Sequence, residues 1–82
     1  MSEDDDIEIV EATDVQITEE GDVIAEDVTA AVDPVTGAAL IDDIVAVETV
    51  DGDGFVEETI TAIDADGNAT VIADEIEGFE AE

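Results

Sequence analysis

No side chain in this 82-residue sequence can carry a positive charge. It holds 27 Asp and Glu and no Lys, Arg or His, for a formal charge of −27. Salt bridges, cationic phosphate contacts, imidazole acid–base chemistry and Schiff-base chemistry are all ruled out together. Any fold must also form against its own repulsion. Two carboxylates ~10 Å apart in water repel by about 0.4 kcal/mol. Some tens of such pairs amount to roughly 10 kcal/mol, comparable to the whole stability of a small domain. Screening decides the outcome, because the Debye length is about 30 Å at ~0.01 M salt and about 3 Å at ~1 M. Folding is therefore expected to depend on salt or on bound cations.

The apolar residues point to strands. Ile and Val are abundant, while Leu40 is the only Leu. β-Branched side chains lose freedom in helices and pack well on a pleated surface. The missing Lys and Arg also remove the ion pairs that support exposed helices. Turn signals then divide the chain at regular intervals: Glu19-Glu20-Gly21-Asp22, Asp33-Pro34-Val35-Thr36-Gly37, Asp51-Gly52-Asp53-Gly54 and Asp64-Ala65-Asp66-Gly67-Asn68. Each supplies Gly, Asn or Asp where a positive φ or a side-chain-to-backbone bond is wanted. In the second, Pro34 suits the first corner of a type I turn and Gly37 the left-handed bulge position.

Between these turns lie strand-like runs at Ile7–Ala12, Val15–Glu19, Val23–Val32, Ala39–Val50, Phe55–Ile63 and Ala69–Ile76. The predicted fold is all-β, an antiparallel meander of five to six strands forming a curled sheet or a small barrel. Residues 23–32 and 38–47 also fit helical spacing, through Leu40, Ile41, Ile44 and Val45 in the latter. A faint repeat runs through the chain, in which a turn Gly precedes small or apolar residues, an acidic pair and an Ile/Val/Thr/Ala run. The expected organisation is an acidic tail over 1–6, one β domain over 7–77 and a second acidic tail over 78–82. At this length a single core is only just sufficient.

There is no Cys, so neither a disulfide nor a thiolate metal site is available. No apolar run approaches the ~18 residues that span a bilayer, and the acidic start is unlike a signal peptide. A cytoplasmic location is the default expectation, with secreted or virion-associated settings left open.

The sharpest local chemistry lies in the Asp-x-Asp-Gly turns. Hard cations such as Ca²⁺ take six to eight oxygen ligands, and Asp at alternate positions of a Gly-permitted turn can point several carboxylates inward. A meander alternates its turns between the two ends of the sheet. Asp33 would then share one end with Asp64, Asp66 and Asn68, while Glu20, Asp22, Asp51 and Asp53 lie at the other. Asp33, Asp51, Asp53, Asp64, Asp66 and Asn68 are the candidate metal ligands. The turns resemble the Asp/Gly-rich calcium loops of dockerin, thrombospondin type 3 and EF-hand-like repeats, over about a quarter of the chain. Aligned with an EF-hand loop through Asp66-Gly67, Ala62 stands where the first ligand belongs and Ala73 where the closing acid belongs. What the resemblance implies is Ca²⁺ at low affinity. The composition as a whole is similar to that of extreme halophilic proteins.

The acidic pairs Asp42/Asp43, Glu57/Glu58 and Asp74/Glu75 are candidates for carboxylate acid–base work only if one member sits in a cleft with a raised pKa. With no Trp or Tyr and only Phe55 and Phe79 to hold a substrate, a non-enzymatic protein is expected. In each pair one residue is expected to face solvent and the other a sheet edge or cation site. Nucleic-acid binding needs Lys or Arg on the phosphates and is excluded. The leading expectation is a cation-stabilised acidic β domain, structural or binding in role, with self-association through edge strands open to it. A second is a DNA-mimic, an electrostatic decoy for a basic DNA-binding protein. A third is a designed, restricted-alphabet chain with no natural function.

Overall fold

The computed structural model describes residues 7–80. The described chain is five antiparallel strands and no helix: β1 (Glu8–Ile17), β2 (Val23–Val32), β3 (Ala39–Glu48), β4 (Gly54–Ile63) and β5 (Ala69–Phe79). Their spatial order is β1-β2-β3-β4-β5, a simple meander whose sheet stays open. The helical alternatives at 23–32 and 38–47 are strands in full register with their neighbours.

Two predicted runs merge. The segments Ile7–Ala12 and Val15–Glu19 form the one strand β1, because Thr13-Asp14 contains no Gly, Pro or Asn to interrupt the ladder. At the other end β5 continues through Gly78 and Phe79, into the segment expected to be a tail. The predicted tail over 1–6 and residues 81–82 lie outside the described residues.

The connections are short and repeat one design. Thr18, Thr49 and Asp64 donate their N–H to the carbonyls of Asp22, Asp53 and Asn68, while Gly21, Gly52 and Gly67 donate back to Thr18, Thr49 and Asp64. This is the three-residue hairpin loop that places its last residue at positive φ, and the three Gly have φ of 97°, 93° and 90°. The Asp33 loop is one residue longer, with Gly37 at φ 85°.

Among the described residues there is no buried core. No described side chain is fully buried, and every residue of β1 and β5 is exposed. A sheet ordinarily buries one face against a second layer, but here all the described regular structure is spent on one layer. Directly opposed residues share a face and successive residues alternate, so the registers assign every side chain. One face, called the first, carries the odd residues of β1 and β2 and the even ones of β3 and β4. The second face carries the others.

One close approach constrains the sequence strongly. On the first face Gly54 lies opposite Phe79. A Cβ at Gly54 would collide with the Val47 carbonyl oxygen and sit 2.6 Å from Phe79 Cζ. Gly54→Ala should therefore cost about 1–3 kcal/mol, the usual penalty of overpacking, read as a lowered urea midpoint at fixed high salt. Wild-type stability in this variant would contradict the close packing of β4 on β5.

Candidate functional site: two carboxylate bands

The mid-strand acidic residues fall into register. On the first face each strand contributes one carboxylate to a band crossing the sheet: Glu11, Asp27, Asp42, Glu58 and Glu75. On the second face a matching band holds Asp14, Glu26, Asp43, Glu57 and Asp74. Each member is a direct or diagonal cross-strand neighbour of the next. The mechanism is simple: an acidic pair mid-strand sends one residue to each face, and the hairpin registers align the pairs from strand to strand. Each pair thus divides between the two faces at mid-strand: Asp42/Asp43 and Glu57/Glu58 lie on the interior strands β3 and β4, and Asp74/Glu75 lies on the exposed edge strand β5.

Apolar rows flank the bands. Val10, Ala30, Ile41, Thr61 and Val71 line one side of the second-face band, and Ile24, Val47 and Phe55 approach it from the other. On the first face Ile9, Ala31, Leu40 and Ala62 form the corresponding row.

With adjacent strands ~4.8 Å apart and no cation in the chain, neighbouring carboxylates act on one another. The carboxyl of Glu11 is pushed above its ordinary value of 4.5 by Asp27, first as hydrogen-bond partner and then as like charge. Asp43 does the same to Glu26, with Asp14 adding repulsion. Asp74, helped by Asp43, raises Glu57, and Asp42, helped by Glu75, raises Glu58. A carboxyl–carboxylate hydrogen bond exists only while one partner holds a proton.

The central strand shows the unmet demand. Asp42 Oδ1 and Asp43 Oδ1, on opposite faces of β3, are shielded from solvent with no hydrogen-bond donor. A shielded acceptor without a donor costs the desolvation of that group. Two threonine hydroxyls supply donors elsewhere in the bands: Thr13 Oγ1 donates to Asp27 at 3.2 Å and Thr59 Oγ1 to Asp74 at 3.4 Å.

The candidate metal ligands lie where the meander puts them. The turns bearing Asp33 and Asp64, Asp66 and Asn68 are at one end of the sheet, and the turn bearing Asp51 and Asp53 is at the other. At the first end the carboxylates of Asp33 and Asp64 serve their own loops. Asp33 Oδ1 accepts the Val35 N–H at 2.9 Å. Asp64 Oδ1 accepts the N–H groups of Asp66 and Asn68 at 2.9 and 3.0 Å, and Asn68 Nδ2 donates to Asp64 Oδ2 at 3.3 Å. These bonds favour the charged form and hold Asp64 below its ordinary value of 3.8. The Asp33 and Asp64 loops are set two strand spacings apart, roughly 10 Å. Among the described residues no group of three or more acidic side chains is gathered closely enough to hold a metal ion.

Sequence reasoning passed over Glu26 and Asp27, which complete the bands on β2, and it placed Asp22 at the Asp51 end of the sheet without its bond to the third turn. The Asp22 carboxylate accepts the Val50 N–H at 3.2 Å and ties the first turn to the third. The signal for the bands was present in the loop lengths, which fix hairpin register. Nothing local marks the Asp22 bridge. A shallow depression between β4 and β5, lined by Val56, Glu58, Glu75, Ile76 and Glu77, is walled by three carboxylates and offers no cationic or aromatic group to hold a substrate.

Fold and site together define an open, single-layer antiparallel meander with a carboxylate band across each face. No family model, curated protein or solved structure matches the chain.

Proposed function

We propose that this chain is a non-enzymatic acidic β module, structural or binding in role, whose folded state is stabilised by cations. The observation that carries the reading is the pair of carboxylate bands, with the donorless Asp42 Oδ1 and Asp43 Oδ1 at their centre. In a chain without basic side chains, only protons, solvent or external cations can offset such an array. Either high monovalent salt or low-affinity Ca²⁺ would serve, and the Asp turns at the sheet ends offer further oxygen ligands.

Far-UV circular dichroism of the chelated protein, titrated separately with CaCl₂ and NaCl, tests this. Cation-driven gain of a β spectrum is expected. Completion by about 1 mM Ca²⁺, where equal ionic strength of NaCl does nothing, would mean Ca²⁺ sites of the low-affinity class. Completion only near ~1 M NaCl would mean screening alone. A full β spectrum in chelator at low salt would sink the proposal.

The regular bands favour a second reading, an electrostatic decoy. One carboxylate per strand on each face, at ~4.8 Å strand spacing, is a fixed array of negative charge suited to a basic DNA-binding surface. This reading calls for tight, salt-sensitive binding to such a protein by a module already folded at physiological salt.

A further inference from the structure

The two edges of the sheet differ. In the β1–β2 hairpin the Thr18 N–H bonds the Asp22 carbonyl, and in the next hairpin the Asp33 N–H bonds Ala38. Bonded pairs recur every second residue, so the even residues of β1 bond inward to β2. The odd residues Ile9, Glu11, Thr13, Val15 and Ile17 therefore point their N–H and C=O groups outward, in one unbroken row. On β5 that row is broken. A register shift after Ile60/Thr61 leaves Ile72 unpaired, so outward groups at Ala69 and Val71 are followed, out of phase, by Asp74, Ile76 and Gly78. Bulges blunt an edge against further pairing, and long regular edges invite it.

We propose that β1 is a docking edge for a second copy of this chain, joined by two-fold antiparallel pairing centred on Thr13. The inference rests on the folded module above. Charge placement selects the partner. In this register Ile9 meets Ile17′, Glu11 meets Val15′, Thr13 meets Thr13′ and Asp14 meets Ala12′, where the prime marks the second copy. No carboxylate faces another directly, and Asp14 with Asp14′ is the one diagonal pair within β1. All five outward residues of each copy are bonded, giving ten backbone hydrogen bonds, whereas centring on Ala12 leaves Ile17 unused. Ile9 and Ile17, 64% and 71% exposed, cover each other. The product is a ten-stranded sheet, within the range open sheets reach, in which the second-face band continues across the seam through Asp14 and Asp14′ while the first-face band is stepped there, because Glu11 meets Val15′.

Among the described strands β1 alone has no adjacent acidic pair: Ala12-Thr13 stands at its centre, where the others carry Glu26-Asp27, Asp42-Asp43, Glu57-Glu58 and Asp74-Glu75. Pairing β5 with itself about Asp74 would set Asp74 against Asp74′.

The test is sedimentation equilibrium with backbone hydrogen exchange on the full chain in ~1 M NaCl, where repulsion between copies is screened, with circular dichroism reporting the fold. A concentration-dependent dimer is expected. On dimerisation the amides of Ile9, Glu11, Thr13, Val15 and Ile17 gain protection, while those of Val10, Ala12, Asp14 and Gln16 are protected throughout. Val15→Pro removes an outward N–H that β2 does not use and should weaken the dimer by ~10-fold or more, since two bonds are lost. Ile76→Pro on the other edge should leave it intact. A folded chain that stays monomeric, or one that dimerises without protecting the odd amides of β1, overturns the proposal. Equal weakening by both variants does so too. A chain that shows no β spectrum at this salt overturns the module reading along with it.

Discussion

Replacing Glu26, Glu57 and Glu58 together with Gln should fold the chain at far lower salt, moving the NaCl midpoint from the order of 1 M towards the order of 0.1 M. Two effects act in the same direction. Removing three charges relieves the repulsion that Asp43, Asp74 and Asp42 exert on these side chains. A Gln amide also brings N–H donors to the neighbourhood of Asp42 Oδ1 and Asp43 Oδ1, the shielded acceptors that lack them. The control removes the same formal charge from the turns, through Glu19→Gln, Glu20→Gln and Asp51→Asn. If net charge alone governs folding, the two triple variants shift the midpoint equally, and the bands have no special standing. A shift several times larger for the band variant identifies the registered carboxylates as the dominant repulsive element.

Much of this arrangement was written locally in the sequence. Gly21, Gly37, Gly52 and Gly67 marked all four connections, and the excess of Ile and Val over Leu40 favoured strands. Residues 38–47 read ambiguously because Ile41, Ile44 and Val45 occupy both faces of a strand whose faces are equivalent. Alternation is a clear signal only when one face is buried and the other wet. The open sheet and the single described layer are properties of how strands meet, and no local pattern encodes them, whereas the unbroken β1 was legible in the lack of Gly, Pro or Asn at Thr13-Asp14. The bulge at Ile72 likewise carries no Gly or Asn to announce it. For the candidate site, the placement of Asp33 with Asp64, Asp66 and Asn68 at one end followed from meander topology alone. The commitment of Asp33, Asp64 and Asn68 to their own loops depends on side-chain bonds such as Asn68 to Asp64, which the motif spacing did not distinguish from cation ligation.

Acid should stabilise this protein over a range in which it destabilises most others. Carboxylates that gain partners on folding have lowered pKa values, so protonating them favours the unfolded chain. Here Glu11, Glu26, Glu57 and Glu58 are raised above 4.5 by neighbouring acids. Just above that value the folded chain binds more protons than the unfolded chain. Their contribution is fully present below 4.5 and is lost as pH rises through the folded-state values. Asp64 runs the other way. Lowered below 3.8 by Asn68 and the loop amides, it contributes stability above that value and loses it as pH falls through its folded-state value. Four groups against one set a stability maximum between the ordinary values of 3.8 and 4.5, with a decline towards neutral pH at fixed salt. Urea midpoints measured from pH 3 to 8 in constant ionic strength, at low protein concentration, trace the curve. Glu57→Gln with Glu58→Gln should flatten the neutral limb. Asp64→Asn keeps an acceptor for the loop amides and should flatten the acid limb alone. A wild-type curve that falls steadily from pH 7 to pH 4 would show that the bands are offset by bound cations even at low salt. In that case the raised carboxyls of the folded chain would no longer govern its response to acid.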